Sequence, residues 1–140
     1  MPFKPKITAE LVKSVKRHEG LRLKAYQDSV GVWTIGYGRN LQTLEISTQD
    51  AEKWLKEDLI THAKEVLALP EVDGLTQNRK DVLIEMCFNL GLSRLLKFRK
   101  MWAAVRRDAP ILAASEMLDS KWAKQVGVRA DRLAEKYRRG

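Results

Sequence analysis

Three polar side chains near the N-terminus have the types and spacing that acid–base chemistry on water requires. Glu19 and Asp28 are carboxylates, and Thr34 follows Asp28 after five intervening residues. One carboxyl can donate a proton, the other can stabilise positive charge or activate water, and the hydroxyl can hold that water by hydrogen bonds. The three residues therefore indicate hydrolysis by a proton donor and a charged partner.

A helix and the segment after it must position these residues. Thr8 can cap a helix that runs to about Glu19 and ends at Gly20. The helical period places Glu19 within an apolar stripe. That stripe consists of Leu11, Val12 and Val15. An inward-facing carboxyl must be paired, or desolvated so that its neutral form is favoured, and we predict this for Glu19.

The remaining pattern predicts an α+β chain. Residues 21–46 combine alternation, a polar turn and glycines, which indicates a hairpin or a three-stranded antiparallel sheet. Apolar residues at helical spacing predict a long helix over about 47–69, ending before Pro70, and further helices fill about 70–140. We therefore expect one domain with a helix-plus-sheet lobe (about 1–46), a linking helix and a helical lobe. Trp54 and Trp102 are predicted to be core residues.

The composition of the chain limits the kinds of binding partner that it is expected to have. The formal net charge is +8, which predicts attraction to nucleic acid, a membrane surface or an anionic cell-wall polymer, although a solvated basic surface explains it equally well. No recognisable nucleic-acid motif is present. No run approaches the roughly 18 to 20 apolar residues that cross a bilayer, and the N-terminus lacks the apolar segment of a cleaved signal. We expect synthesis in a cytoplasm.

Cysteine and histidine usage predicts no metal site. Cys87 is the only cysteine, which excludes an intrachain disulfide, and its apolar neighbours predict a buried, inert thiol. His18 and His62 lie apart in the sequence without cysteine neighbours. We therefore expect neither a metal nor another cofactor.

The stretch from Glu19 to Arg39 resembles the phage-type lysozymes, glycoside hydrolase family 24. It contains EGLRLKAYQD and TIGYG, and Glu19, Asp28 and Thr34 match the spacing of the family's catalytic set. Looser support comes from MCFNLG, which ends at Gly91, and from SKWAKQVGVRADR at 120–132. The resemblance implies a lysozyme-like fold, in which a small N-terminal sheet lobe is joined by a long helix to a mostly helical C-terminal lobe.

The same resemblance implies a muramidase that hydrolyses the β-1,4 bond between N-acetylmuramic acid and N-acetylglucosamine in bacterial peptidoglycan. It makes Glu19 the general acid, Asp28 the charge stabiliser or base, and Thr34 the residue that positions water, with inversion at the sugar. Each residue also has a plain structural explanation. Glu19 could pair with an arginine, Asp28 could be a turn residue and Thr34 could simply favour a strand.

Substrate contacts are expected from five further residues. Tyr26 and Trp33 can offer apolar surface to sugar rings, Phe88 and Asn89 fall where the family has cleft residues, and Arg129 matches a family arginine that lies near the catalytic glutamate. The alternative for the aromatic residues is a place in the core, and for Arg129 a solvated helix face.

The sequence departs from the family pattern at two positions. Arg39 stands where the family usually has histidine, and His18 stands where an acidic residue is common. These departures alter the electrostatics around Glu19.

The expected protein is a monomer that acts on peptidoglycan in the periplasm or cell wall, after holin-type release or injection, and its basic surface would bind anionic polymers. Two alternatives stay open. A lytic transglycosylase would cleave the same bond with one glutamate and no water, and a basic module could bind cell wall or nucleic acid without catalysis.

Overall fold

The computed structural model describes residues 3–140. These residues divide into two compact units, one ending at Ser47 and the other running from Thr48 to Gly140. The boundary coincides with the predicted start of the linking helix. Within the described residues, no helix is both long enough and apolar enough to cross a membrane.

The first unit contains one helix and a small sheet. Helix α1 (Ala9–Glu19) begins as predicted, because the Thr8 hydroxyl accepts a hydrogen bond from Leu11 N–H at 3.1 Å. The three strands are β1 (Arg22–Gln27), β2 (Trp33–Gly36) and β3 (Arg39–Asn40). They form an antiparallel sheet in the order β1-β2-β3, which is the three-stranded one of the two predicted arrangements.

The second unit begins with the long helix α2 (Thr48–Leu67), followed by a 3-10 turn at Pro70–Val72. Six helices complete the chain: α3 (Gln77–Leu90), α4 (Leu92–Leu95), α5 (Arg99–Arg106), α6 (Pro110–Leu118), α7 (Lys121–Val126) and α8 (Val128–Arg139). The α+β class predicted from the sequence is therefore confirmed.

Every buried hydrophobic residue among those described lies in the second unit, between Val66 and Tyr137. Helix α8 turns a complete face inward, as its spacing predicted. That face consists of Ala130, Leu133, Ala134 and Tyr137. Helix α3 supplies the centre of the same core. Its buried side chains are Val82, Leu83, Met86 and Cys87.

The apolar face of α2 differs from its prediction. Only Val66 is buried on this helix, and Trp54 is 48% exposed, so its assignment to the core was wrong. Trp102 is buried, and its ring N–H donates to Leu95 C=O at 2.9 Å. The difference arises because a long helix can bury an apolar stripe only where another element packs against it, and periodicity does not show where that partner ends.

Candidate active site

Glu19 is the last residue of α1, immediately before the chain turns into β1. Gly20 makes this turn with φ of 74°, a left-handed conformation that is costly for residues with a Cβ, while its N–H donates to Lys16 C=O at 3.0 Å. The helix therefore ends abruptly, and its terminal carboxyl lies at the junction with the sheet, as the sequence predicted.

The Glu19 carboxyl lies against the turn between β2 and β3. A Cβ built on Gly38 would meet Glu19 Oε2 at 3.5 Å, and Gly38 has φ of 106°. Glycine permits the backbone conformation of this turn, since φ of 106° is strained for a residue with a Cβ, while the separation of 3.5 Å is an ordinary van der Waals contact. The end of α1 and the turn between β2 and β3 therefore lie next to each other.

The predicted burial of Glu19 was wrong. Helix α1 contains no buried residue, and Glu19 is exposed. The three members of its apolar stripe, Leu11, Val12 and Val15, are also exposed. The helical period places these residues on one face, but a face is buried only where another element packs against it. Among the described residues of the first unit, Thr34 alone is buried.

Asp28 is held in a tight turn by the backbone of the next four residues. Its Oδ1 accepts hydrogen bonds from Val30 N–H at 2.9 Å and Val32 N–H at 2.8 Å. The Asp28 N–H donates to Val32 C=O at 2.9 Å. Asp28 is therefore a turn residue, which was the alternative to a catalytic role in the sequence analysis. The same bonds fix the orientation of its carboxylate.

Thr34 lies on β2 and is 5% exposed. Its hydroxyl donates to Val32 C=O at 2.9 Å, which leaves the oxygen lone pairs available to accept. Val32 thus joins both residues, because its N–H bonds the Asp28 side chain and its C=O accepts from Thr34. Sequence reasoning missed Val32, since a peptide group leaves no signature in residue type.

The two aromatic candidates of the sheet lie on opposite faces. Tyr26 is directly opposite Thr34 in the register of β1 and β2, so the two side chains share a face. Trp33 precedes Thr34 on the same strand and therefore points to the other face. Tyr26 is half-buried beneath the Arg22 guanidinium, 4.5 Å from the ring centre, and Trp33 is 48% exposed.

Phe88 and Asn89 lie near the end of α3 in the second unit. The Phe88 ring is half-buried and meets the His62 ring edge-on, with centroids 5.8 Å apart. Asn89 is exposed, and its Oδ1 accepts from the Trp122 ring N–H at 2.7 Å. That bond fixes the Asn89 amide and joins α3 to α7.

Arg129 forms an ion pair within the second unit. Its Nε donates to Glu85 Oε2 at 2.9 Å, and the side chains are 38% and 45% exposed. Arg129 is thus partly exposed and paired, and its alternative place on a solvated helix face stays open. Its expected association with Glu19 stays a prediction.

Two exposed residues mark the departures from the family pattern. The His18 Nδ1 lies 3.4 Å from the Ser14 hydroxyl, one turn earlier on α1. Arg39 opens β3 opposite Ile35. Both side chains are free to respond to solvent and salt.

Three potential metal ligands, which the sequence did not indicate as a group, lie close together in the structure. His62 and Glu65 lie one turn apart on α2, and Cys87 on α3 reaches the same point. His62 has no cysteine near it in the sequence, but in the structure Cys87 Sγ lies 3.5 Å from its Nδ1. The contact joins residues 25 apart in sequence, and only the pairing of α2 with α3 creates it.

The small antiparallel sheet, the mostly helical remainder and the carboxyl at the helix–sheet junction define a lysozyme-like α+β protein. Residues 16–139 match the family model described as phage lysozyme. The chain belongs to the phage lysozyme family, which confirms the resemblance. The matched range includes Glu19, Asp28 and Thr34.

Individual relatives agree with this membership. An endolysin of Acyrthosiphon pisum secondary endosymbiont phage 1 is 44% identical over 82 residues, covering 56% of each chain. An endolysin of Salmonella phage P22 is 36% identical over 95 residues, covering 62% of this chain and 64% of its own. A probable T4-type lysozyme of Dictyostelium discoideum is 26% identical over 149 residues, covering 85% and 88%. The matches thus span less than two thirds of the two endolysins.

Proposed function

We propose that the protein is a muramidase that hydrolyses the β-1,4 bond between N-acetylmuramic acid and N-acetylglucosamine in bacterial peptidoglycan. The observation that carries this proposal is the pair of bonds through which the backbone N–H and C=O of Val32 join Asp28 to Thr34. Membership of the phage lysozyme family supports it, as do two relatives named endolysin.

Glu19 is the proposed general acid, which protonates the leaving oxygen of the glycosidic bond. Because Glu19 is exposed, the protein interior does not supply the apolar surroundings that favour a neutral carboxyl. A bound polysaccharide must therefore exclude water from it. The acid becomes fully effective only once substrate covers the carboxyl.

Asp28 is the proposed partner that stabilises positive charge on the sugar or activates water. Two backbone N–H groups occupy its Oδ1 and hold the carboxylate in one orientation. Its Oδ2 is the oxygen proposed to face substrate or water. Electrostatic stabilisation is effective when the charged group is already oriented before the reaction begins.

Thr34 is the proposed residue that positions the attacking water. Its hydroxyl proton is directed at Val32 C=O, so the oxygen would accept a hydrogen bond from that water. Attack by a positioned water in one displacement inverts the configuration at the sugar carbon. Inversion distinguishes this proposal from a mechanism with a covalent intermediate.

The wider substrate surface is proposed to include Tyr26, Trp33, Phe88, Asn89 and Arg129. Exposed Trp33 offers a flat apolar surface of the kind that sugar rings contact, and the fixed amide of Asn89 offers polar atoms. The net positive charge would favour adsorption to an anionic wall. We further propose that the protein is a monomer that reaches peptidoglycan after holin-type release or injection.

Reducing-end release from purified peptidoglycan tests the proposal. Wild type should release new reducing ends, whereas Glu19→Gln should lower the rate at least a hundredfold, since it removes the proton donor. Asp28→Asn should do the same while keeping its turn, because an amide oxygen can still accept from Val30 and Val32. Glu10→Gln, an exposed change on the same helix, is the matched control. Undiminished release by Glu19→Gln would refute the assignment.

Mass spectrometry of the products separates the open alternatives. Hydrolysis adds one water to each cleaved bond, whereas a transglycosylase leaves an anhydro sugar without it. Folded wild type that binds peptidoglycan and yields neither product would instead be a binding module. Circular dichroism of each variant establishes that lost activity is not lost folding.

A further inference from the structure

Three side chains of the second unit bring different metal-ligating atoms to one point, apart from the residues proposed for catalysis. His62 Nδ1 lies 3.0 Å from Glu65 Oε1 and 3.5 Å from Cys87 Sγ. All three atoms lie within 4.8 Å of one another. A nitrogen, an oxygen and a sulfur from two helices thus form a small triangle.

The three groups can share hydrogen bonds without a metal. Nδ1–H can donate to the Glu65 carboxylate, and the Cys87 thiol carries its own proton, so the sulfur need not receive the proton of Nδ1. What distinguishes the cluster is that a nitrogen, an oxygen and a sulfur, each able to bind a metal once deprotonated, converge on one place. A cation between the three atoms would be attracted to all of them.

The geometry points to a binding site for a borderline-soft divalent cation, Zn²⁺ in particular, held by His62, Glu65 and Cys87. Zinc binds histidine nitrogen, carboxylate oxygen and cysteine sulfur at about 2.0 to 2.3 Å, which separates tetrahedral ligands by about 3.4 to 3.6 Å. The His62–Cys87 separation of 3.5 Å already has this value. The His62–Glu65 contact of 3.0 Å is shorter and the Glu65–Cys87 separation is at most 4.8 Å, so the Glu65 carboxylate must shift when the ion binds. Magnesium and calcium prefer oxygen ligands and fit this donor set poorly.

Accessibility and surroundings agree with such a site. The side chains of His62 and Glu65 are 25% and 36% exposed, so a hydrated ion can enter from their side, while Cys87 closes the site from the core. The Phe88 ring packs edge-on against the His62 ring and limits its rotation. Three protein ligands leave a fourth position for water.

Binding must displace the thiol proton. Burial, together with the Glu65 charge, raises the pKa of Cys87 to about 11, so without metal the group is a thiol at neutral pH. On binding, the S–H bond breaks, the sulfur pair forms the bond to zinc and the proton passes to solvent. No oxidant or reductant is involved. The bound ion would link α2 to α3.

Cobalt and zinc titrations of the full chain test this inference. Co²⁺ should give the near-ultraviolet charge-transfer band of a thiolate ligand in wild type, and Zn²⁺ should abolish it at one equivalent. Zinc at a hundredfold excess over its Kd should raise Tm by about 10 °C, whereas Mg²⁺ should leave it unchanged. Cys87→Ala and Glu65→Gln should each weaken zinc binding at least tenfold.

Two control variants make the outcome decisive. Glu57→Gln removes an exposed carboxylate from the same helix, and His18→Gln removes the other histidine; both should bind zinc like wild type. Each Tm is compared with that of the same variant without metal, so a destabilised Cys87→Ala still reports. A cobalt spectrum without the thiolate band, or zinc affinity unchanged in Glu65→Gln, would overturn the site. None of these readouts depends on muramidase activity.

Discussion

Val32 contributes to the candidate site through its backbone N–H and C=O, which belong to two consecutive peptide groups. The N–H bonds the Asp28 carboxylate and the C=O accepts from the Thr34 hydroxyl, so two side chains with separate proposed roles are held by neighbouring parts of one backbone segment. Their relative position therefore depends strongly on the local backbone.

Gly38 should be intolerant of a side chain. Gly38→Ala forces a residue with a Cβ to adopt φ of 106°, which should lower the free energy of unfolding by about 1–3 kcal/mol and, by disturbing the turn beside Glu19, reduce reducing-end release. Gly74→Ala is the matched control, because its φ is ordinary and no atom lies within 4 Å. Urea denaturation and the release assay measure the two effects. Equal behaviour of both variants would show that Gly38 has no special role.

For single residues, the sequence predicted correctly where each one lies in its helix or strand, but not what surrounds its side chain. Glu19 was correctly placed at the end of a helix, since capping and glycine signals are local. Its burial was predicted wrongly, because burial depends on what packs against the helix. The group of His62, Glu65 and Cys87 escaped notice for the same reason: it exists only after α2 and α3 meet.

The ion pair between Arg129 and Glu85 joins helices α8 and α3. Substituting each partner separately tests the role of Arg129. Both side chains are partly exposed, so the pair should contribute no more than about 1 kcal/mol to stability. If Arg129 acts through Glu19, Arg129→Gln should reduce the release rate and shift its pH profile, while Glu85→Gln should not. Similar small losses in both variants would assign Arg129 a structural role only.

The end of α8 carries a carboxylate with an unusually low pKa. Hydrogen bonds from Arg138, and then from Arg139, lower the pKa of Glu135 from the ordinary 4.5 to about 2. Because the folded-state value is depressed, its stabilising effect is present above about pH 4.5 and is lost as pH falls towards 2. The Glu135 side chain is 43% exposed and its bonds are screened by solvent, so the effect on stability should be small.

NMR titration of the Glu135 side chain checks this prediction. Arg138→Gln should raise its pKa towards the ordinary value, since Arg138 is the main cause of the shift. Arg139→Gln should raise it less. A pKa near 4.5 in wild type would contradict the bonds seen at the end of this helix.

Burial was predicted best for a helix that other helices cover along its whole length. Helix α8 buried every residue of its predicted face, whereas α2 buried only Val66. The sequence of α8 separates apolar from polar residues more sharply than that of α2, and other helices cover α8 over more of its length. Hydrophobic periodicity reports which face could be buried, and tertiary packing decides how much of it is.

Across the whole molecule, apolar burial is concentrated in the second unit. All buried hydrophobic residues among those described lie there, although the proposed catalytic residues belong to the first unit. A three-stranded sheet with little buried surface has marginal stability by itself. We therefore expect the proposed catalytic residues to lie in the part of the chain that opens at the lower cost in free energy.

Native-state hydrogen exchange should reveal this difference. The Asp28 amide, bonded to Val32 C=O, should exchange by openings that cost less free energy than those exposing the Leu83 amide at the centre of α3. Leu83→Ala should remove about 2–5 kcal/mol from the protection of α3, because it opens a cavity in the core, while leaving local opening at Asp28 unchanged. If both amides exchange at one free energy in wild type and fall together in Leu83→Ala, the chain unfolds as one cooperative unit and the proposed division of stability is wrong.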